Sequence, residues 1–100
     1  METPSAVKVL GYEYPVEMVE RIDDDDTCRG MCYNVELRIK LCSTLPEQAL
    51  RSTLLHEVIE ALDSQLILHL PHDTIQRLEA GLNQVMVDNP DLLKMYLEDA

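Results

Sequence analysis

Tryptophan and phenylalanine are absent from this 100-residue chain, and four tyrosines are its only aromatic residues. A core without larger rings must be assembled from Leu, Ile, Val and Met. Basic residues are scarce as well: eight Lys and Arg stand against 19 Asp and Glu, a net charge of −11. A chain so charged repels phosphate backbones, which excludes ordinary nucleic-acid binding. The acid is not a tail, since residues 1–42 carry five basic and nine acidic residues and residues 43–100 carry three and ten. No apolar run approaches the roughly 18 residues of a membrane span, and no basic-then-apolar leader is present, so a cytoplasmic protein without membrane contact is expected. The cysteines are Cys28, Cys32 and Cys42, an odd number that argues against a disulfide framework.

What remains is 46% hydrophobic and 27% charged, which describes a single globular domain over residues 1–100 with a modest core. Residues 1–5 read as a loose end. Residues 7–10 form a short strand candidate ended by Gly11, and residues 12–18 a second, with Pro15 pushing it towards a sheet edge. Asp23-Asp24-Asp25-Asp26 reads as a solvated loop. Tyr33, Val35, Leu37, Ile39 and Leu41 then alternate with polar residues over residues 33–42, the period of a half-buried strand.

Pro46 and Glu47 suit a helix start, and the helix is expected to run to about Leu68 with His69 capping its negative end. Its apolar arc holds Leu54, Leu55, Val58, Ile59, Ala61, Leu62 and Leu66, broken by Arg51 and Gln65; Ser52, Thr53, His56, Glu60 and Asp63 fill the polar arc, with Glu57 at its edge. A second helix starts after Pro71, with a stripe of Ile75, Leu78, Leu82, Val85 and Met86, and with Gly81 marking a close helix contact. Asn89-Pro90-Asp91 caps and starts a third, holding Leu92, Leu93 and Tyr96. Met86 and Met95 read as core filler. The expected fold is therefore α+β: a sheet region at 7–42, an antiparallel sheet of about three strands, followed by two to three packed helices over 46–98.

The stretch Thr53-Leu54-Leu55-His56-Glu57-Val58-Ile59-Glu60-Ala61-Leu62 reads H-E-x-x-E. His56 and Glu60, four apart, project from one helix face, and imidazole and carboxylate are both zinc ligands. Glu57 lies about 100° round the helix, within reach of metal-bound water. A polar arc alone is ordinarily just solvated; here the flanks add to the motif. The stretch resembles the active-site helix of zincin metallopeptidases, with glutamate replacing the second histidine. Over residues 33–93 the chain is most similar to small phage and prophage proteins with a Leu-Leu-His-Glu helix, a later segment like Gly81-Leu82-Asn83-Gln84-Val85 and an Asn-Pro such as Asn89-Pro90.

The resemblance implies a zinc-binding, metallopeptidase-like protein with His56 and Glu60 as ligands and Glu57 as general base. Glu79 is the implied third ligand, His72 the runner-up and Asp63 the next. One histidine and two glutamates cancel the charge of a divalent ion, so bound water is acidified less and manganese or iron compete with zinc. Two outcomes follow: metal-assisted hydrolysis of a peptide held by strand addition along an exposed edge strand within 33–42, or a metal-binding scaffold without catalysis. A second class of function rests on residues 23–26, with Glu17 and Glu20 nearby. A row of carboxylates can imitate DNA phosphates, making an acidic inhibitor or adaptor of a basic protein partner. Cys28-x-x-x-Cys32 with Cys42 is a weaker zinc candidate, and the aspartate run lacks the spacing of an EF-hand loop.

Overall fold

The computed structural model describes residues 3–98. Four strands, β1 (Ala6–Val9), β2 (Tyr12–Val19), β3 (Gly30–Tyr33) and β4 (Arg38–Cys42), precede three helices, α1 (Glu47–Leu66), α2 (His72–Asp88) and α3 (Pro90–Glu98). The α+β class is as expected. The sheet differs in two respects: it has four strands in the order β1-β2-β4-β3, and it is mixed, because β2 and β4 run parallel. Among the described residues no helix is long and apolar enough to cross a membrane.

Residues 33–42 are not one strand. Tyr33 pairs with Arg38 and Cys32 with Ile39, so the alternating stretch folds into a hairpin between β3 and β4. The turn at 34–37 contains no glycine or proline to announce it. It is closed by the Leu37 N–H on the Tyr33 carbonyl at 2.8 Å, with Leu37 at φ 57° and packed against the core. Val35 stands 98% exposed at the tip. The turn reverses the parity of Tyr33, which joins Arg38 and Lys40 on the outer face, where both cations lie over its ring.

Pro15 does not place β2 at an edge. The Val16 N–H bonds the Ser5 carbonyl on the β1 side, so position 15 points the other way, and β4 pairing begins only at Val16. The missing donor therefore falls where no ladder bond is needed. The tight β1–β2 turn uses Leu10 and Gly11, at φ 51° and 87°, the paired positive φ of a two-residue hairpin.

α1 lies across β1, β3 and β4 and carries α2 on its other side. Being covered twice, it has no single apolar stripe. Thr53 and Glu57, expected on or beside the polar arc, are buried, as are Ile59 and Ala61, whereas Leu66 is exposed. Gln65, a break in the apolar arc, is used by the fold: its amide donates to the Val9 carbonyl at 3.0 Å and to the Tyr14 hydroxyl at 2.8 Å, under the core of Val9, Tyr14, Cys32, Ile39, Leu41 and Ala61. His69 does not cap α1. The helix ends at Ile67 in the left-handed region, Leu68 N–H bonds the Asp63 carbonyl, and the Asp63 side chain accepts from Leu70 N–H at 2.8 Å.

The C-terminal helices are held loosely. Ile75 is the one buried residue of α2, α3 has none, and among the described residues α3 packs only on α2. Leu78, Leu82, Val85, Leu92, Leu93 and Tyr96 are exposed, and so is Met95 at 66%, against its expected place in the core. Asn89 turns its side chain back to the Val85 carbonyl, closing α2 rather than capping α3. Nothing lies within 4 Å of a Cβ at Gly81, so it marks no close contact. Gly30 does: a Cβ there would sit 2.6 Å from Thr53 Cγ2 and 3.0 Å from Glu57 Oε2.

Candidate metal centre

The site forms where α1 faces α2 beside the start of β3. His56 sits between two carboxylates: its Nδ1 lies 2.8 Å from Glu79 Oε1 and its Nε2 3.5 Å from Glu60 Oε1. The His72 ring meets the His56 ring edge-on at 5.4 Å between centroids. All four expected positions, His56 and Glu60 with Glu79 and His72, thus converge. Glu79 faces Nδ1, while potential ligand atoms of His56, Glu60 and His72 lie within 4.8 Å of one another. Ligands bound to one tetrahedral ion at about 2.1 Å stand about 3.4 Å apart, so small side-chain rotations close the group. Asp63 lies near Glu60 and His72 in an adjoining cleft but is engaged by the chain reversal after α1.

Glu57 is 4% exposed, and its Oε1 is buried with no hydrogen-bond partner. Such an acceptor costs about 1–3 kcal/mol in a protein interior. Its carboxyl is pushed up to about 9, first by burial, then by a hydrogen bond with Glu60 and the charges of Glu60 and Glu79; the Cys32 backbone N–H pulls the other way. Burial beside two other acids thus favours the neutral form of Glu57. A cleft of about 460 Å³ opens over it, lined by Thr27, Arg29, Gly30, Ser52, Thr53, His56, Glu57, His72, Gln76 and Glu79. Three acids and two imidazoles with an unpartnered buried carboxylate oxygen are a donor set suited to a divalent cation.

The cysteines do not converge on a site. Cys28 Sγ donates to the Gly30 carbonyl, Cys32 Sγ to Asn34 Oδ1 and Cys42 Sγ to the Glu20 carbonyl, all as free thiols. Burial and the charges of Glu57 and Glu60 push the Cys32 thiol up to about 12, which keeps it protonated. The aspartate run is a structured turn anchored by buried Ile22. Asp23 accepts from the Tyr33 hydroxyl at 2.6 Å, Asp25 from Thr27, and Asp26 pairs with Arg21 at 2.7 Å. The carboxylates of Asp23, Asp25 and Asp26 thus make local contacts, and all four aspartates are exposed.

Gly30, Arg29 and Gln76 are site residues that sequence patterns did not single out. They come from the loop before β3 and from α2, and no spacing relates them to the His56 motif. The chain matches no known protein family, no curated protein and no solved structure.

Proposed function

We propose that the chain is a mononuclear metal-binding protein of metallohydrolase type, with zinc the first candidate and manganese or iron the alternatives. The observation that supports this is the convergence of His56, Glu60 and His72 next to buried Glu57, whose Oε1 has no partner. In this reading His56 Nε2, Glu60 and His72 hold the ion. Glu79 keeps the His56 ring in place by accepting its Nδ1–H, the carboxylate–histidine pairing common behind metal ligands. Relative to the zincin resemblance, Glu79 moves from ligand to orienting partner, and His72 takes its place.

A bound divalent ion supplies Lewis-acid polarisation and acidified water. The protein's own residues do the rest. Compensating the negative charges of Glu60 and Glu79 lowers the Glu57 carboxyl from its raised position, against the burial that is the first cause of the rise; as a carboxylate it can accept a proton from water in the cleft. Packing of Thr53 and Gly30 against Glu57 limits its rotamers. β3 is the edge strand beside the site and offers its outer backbone groups to an extended peptide.

Elemental analysis of protein equilibrated with zinc, manganese or ferrous ion and then desalted tests this. About one ion per chain is expected, lost in His56→Ala and retained in Glu57→Gln, which loses any hydrolysis of a peptide substrate. Wild-type protein that keeps none of these ions overturns the reading.

A further inference from the structure

Arg29 immediately precedes β3. Its carbonyl accepts from Cys42 N–H at 2.8 Å, which fixes the backbone against the sheet, while its exposed side chain lines the cleft over Glu57. In a chain with 19 acidic residues and eight basic ones, most cations are paired. Arg21 meets Asp26, Arg38 meets Glu17 and Glu36, Lys40 meets Asp23, Arg77 meets Asp73 and Lys94 meets Asp91. The Arg29 guanidinium has no hydrogen bond, ion pair or ring contact among the described residues. Glu57 and Glu79 line the same cleft, yet neither pairs with it.

The surroundings of the histidine pair are therefore uneven. The cleft on the Gly30 side holds Arg29 as its one Lys or Arg, with the neutral donors Thr27, Ser52 and Gln76 and the acids Glu57 and Glu79, which are buried beside or bonded to His56. The cleft on the other side of His72 holds Glu60, Asp63, Met31, Leu70 and Ile75, and no cation at all. Both sides carry two acids, and only the Gly30 side offers a cation to a negative group; the other offers apolar surface instead.

We propose that Arg29 is an anion subsite which selects peptides carrying a carboxylate on the Gly30 side of the metal group. This inference deepens the metallohydrolase reading and rests on it for the role of the bound peptide. A guanidinium fork matches a carboxylate with two parallel N–H···O bonds. The field of a chain of net charge −11 disfavours a doubly charged phosphate more than a singly charged carboxylate. Without Arg29 the same field favours cationic peptides, so one residue reverses the local preference.

The test uses three fluorescein-labelled, alanine-based pentapeptides. One carries an internal Glu and an amidated end, one carries Gln and a free carboxyl end, and one carries Gln and an amidated end. Affinities are read by fluorescence anisotropy on the full chain, with and without one equivalent of zinc. At least one carboxylate probe is expected to bind about tenfold more tightly than the neutral probe, and the arm that gains distinguishes side chain from terminus. Arg29→Gln is expected to erase the difference, and Arg51→Gln, in a separate groove between α1 and the end of α2, to preserve it. Equal binding of all three probes, a preference that survives Arg29→Gln, or no binding at all overturns the proposal. Discrimination that depends on Arg29 in protein unable to retain zinc supports the subsite and rejects the metal reading. Zinc retention without discrimination rejects the subsite alone.

Discussion

The two faces of α1 are packed very differently. Towards the sheet, Thr53, Glu57 and Ala61 are buried over Ile39, Leu41, Tyr14 and Cys32, and Gln65 bonds both Val9 and Tyr14. Towards the C-terminus, α2 contributes one buried residue, Ile75, and α3 contributes none. The candidate site straddles this boundary: His56, Glu57 and Glu60 stand on the firm side, and His72 and Glu79 on the loose one. A cation bridging the two would stabilise the packing of α2 through mass action, so binding and local order are linked.

The largest expected effect separates the two faces directly. Leu41→Ala should cost about 2–5 kcal/mol in urea denaturation, as for other buried leucines. Leu97→Ala, at a site 73% exposed, should stay within about 0.5 kcal/mol. Comparable losses would mean that α3 is covered in solution. Next come the ligands across the boundary. Glu79→Gln should weaken zinc about 10–100-fold, the usual loss for an orienting partner, and His72→Ala should weaken it further. A chelator-competition titration decides the order, and the reverse order would return Glu79 to the ligand set.

The glycines give a contrast of sign. Gly30→Ala should destabilise by about 1–3 kcal/mol through overpacking on Thr53 and Glu57. Gly81→Ala, with open space around it, should stabilise by up to about 1 kcal/mol. Thermal unfolding of both variants checks the pair. Ile67→Gly is expected to bring a comparable gain of up to about 1 kcal/mol, because replacing a β-branched residue at φ 54° relieves left-handed strain. The smallest effect lies on the outer face of the sheet, where the hydrogen bond to Asp23 lifts the exposed Tyr33 phenol to about 12. The unfolded phenol ionises near 10, so the contribution is complete below pH 10 and fades as pH rises towards 12. Absorbance at 295 nm should show a tyrosine titrating near 12 that moves towards 10 in Asp23→Asn.

Periodicity and caps located the helices to within a residue or two, and helical spacing put His56 and Glu60 on one face as expected. Features made by distant contacts were harder to read. Alternation over 33–42 could not reveal a glycine-free turn held by a packed Leu37. The parallel pairing of β2 with β4 joins segments separated by a loop and a strand. Thr53 and Glu57 look like surface residues until β3 covers them. Which nitrogen of His56 meets Glu79 depends on side-chain orientation, and no sequence pattern encodes it.

Position 30 leaves a consequence for inheritance. Every coding change that alters this glycine adds a Cβ, and each such change presses on Thr53 and on the carboxylate of Glu57 together. Drift at Gly81 meets open space and passes without such a penalty. At Gly30 a lineage cannot relax the approach of α1 to the sheet without also displacing the acid beside the histidines, so one codon ties the survival of the fold to the survival of the site.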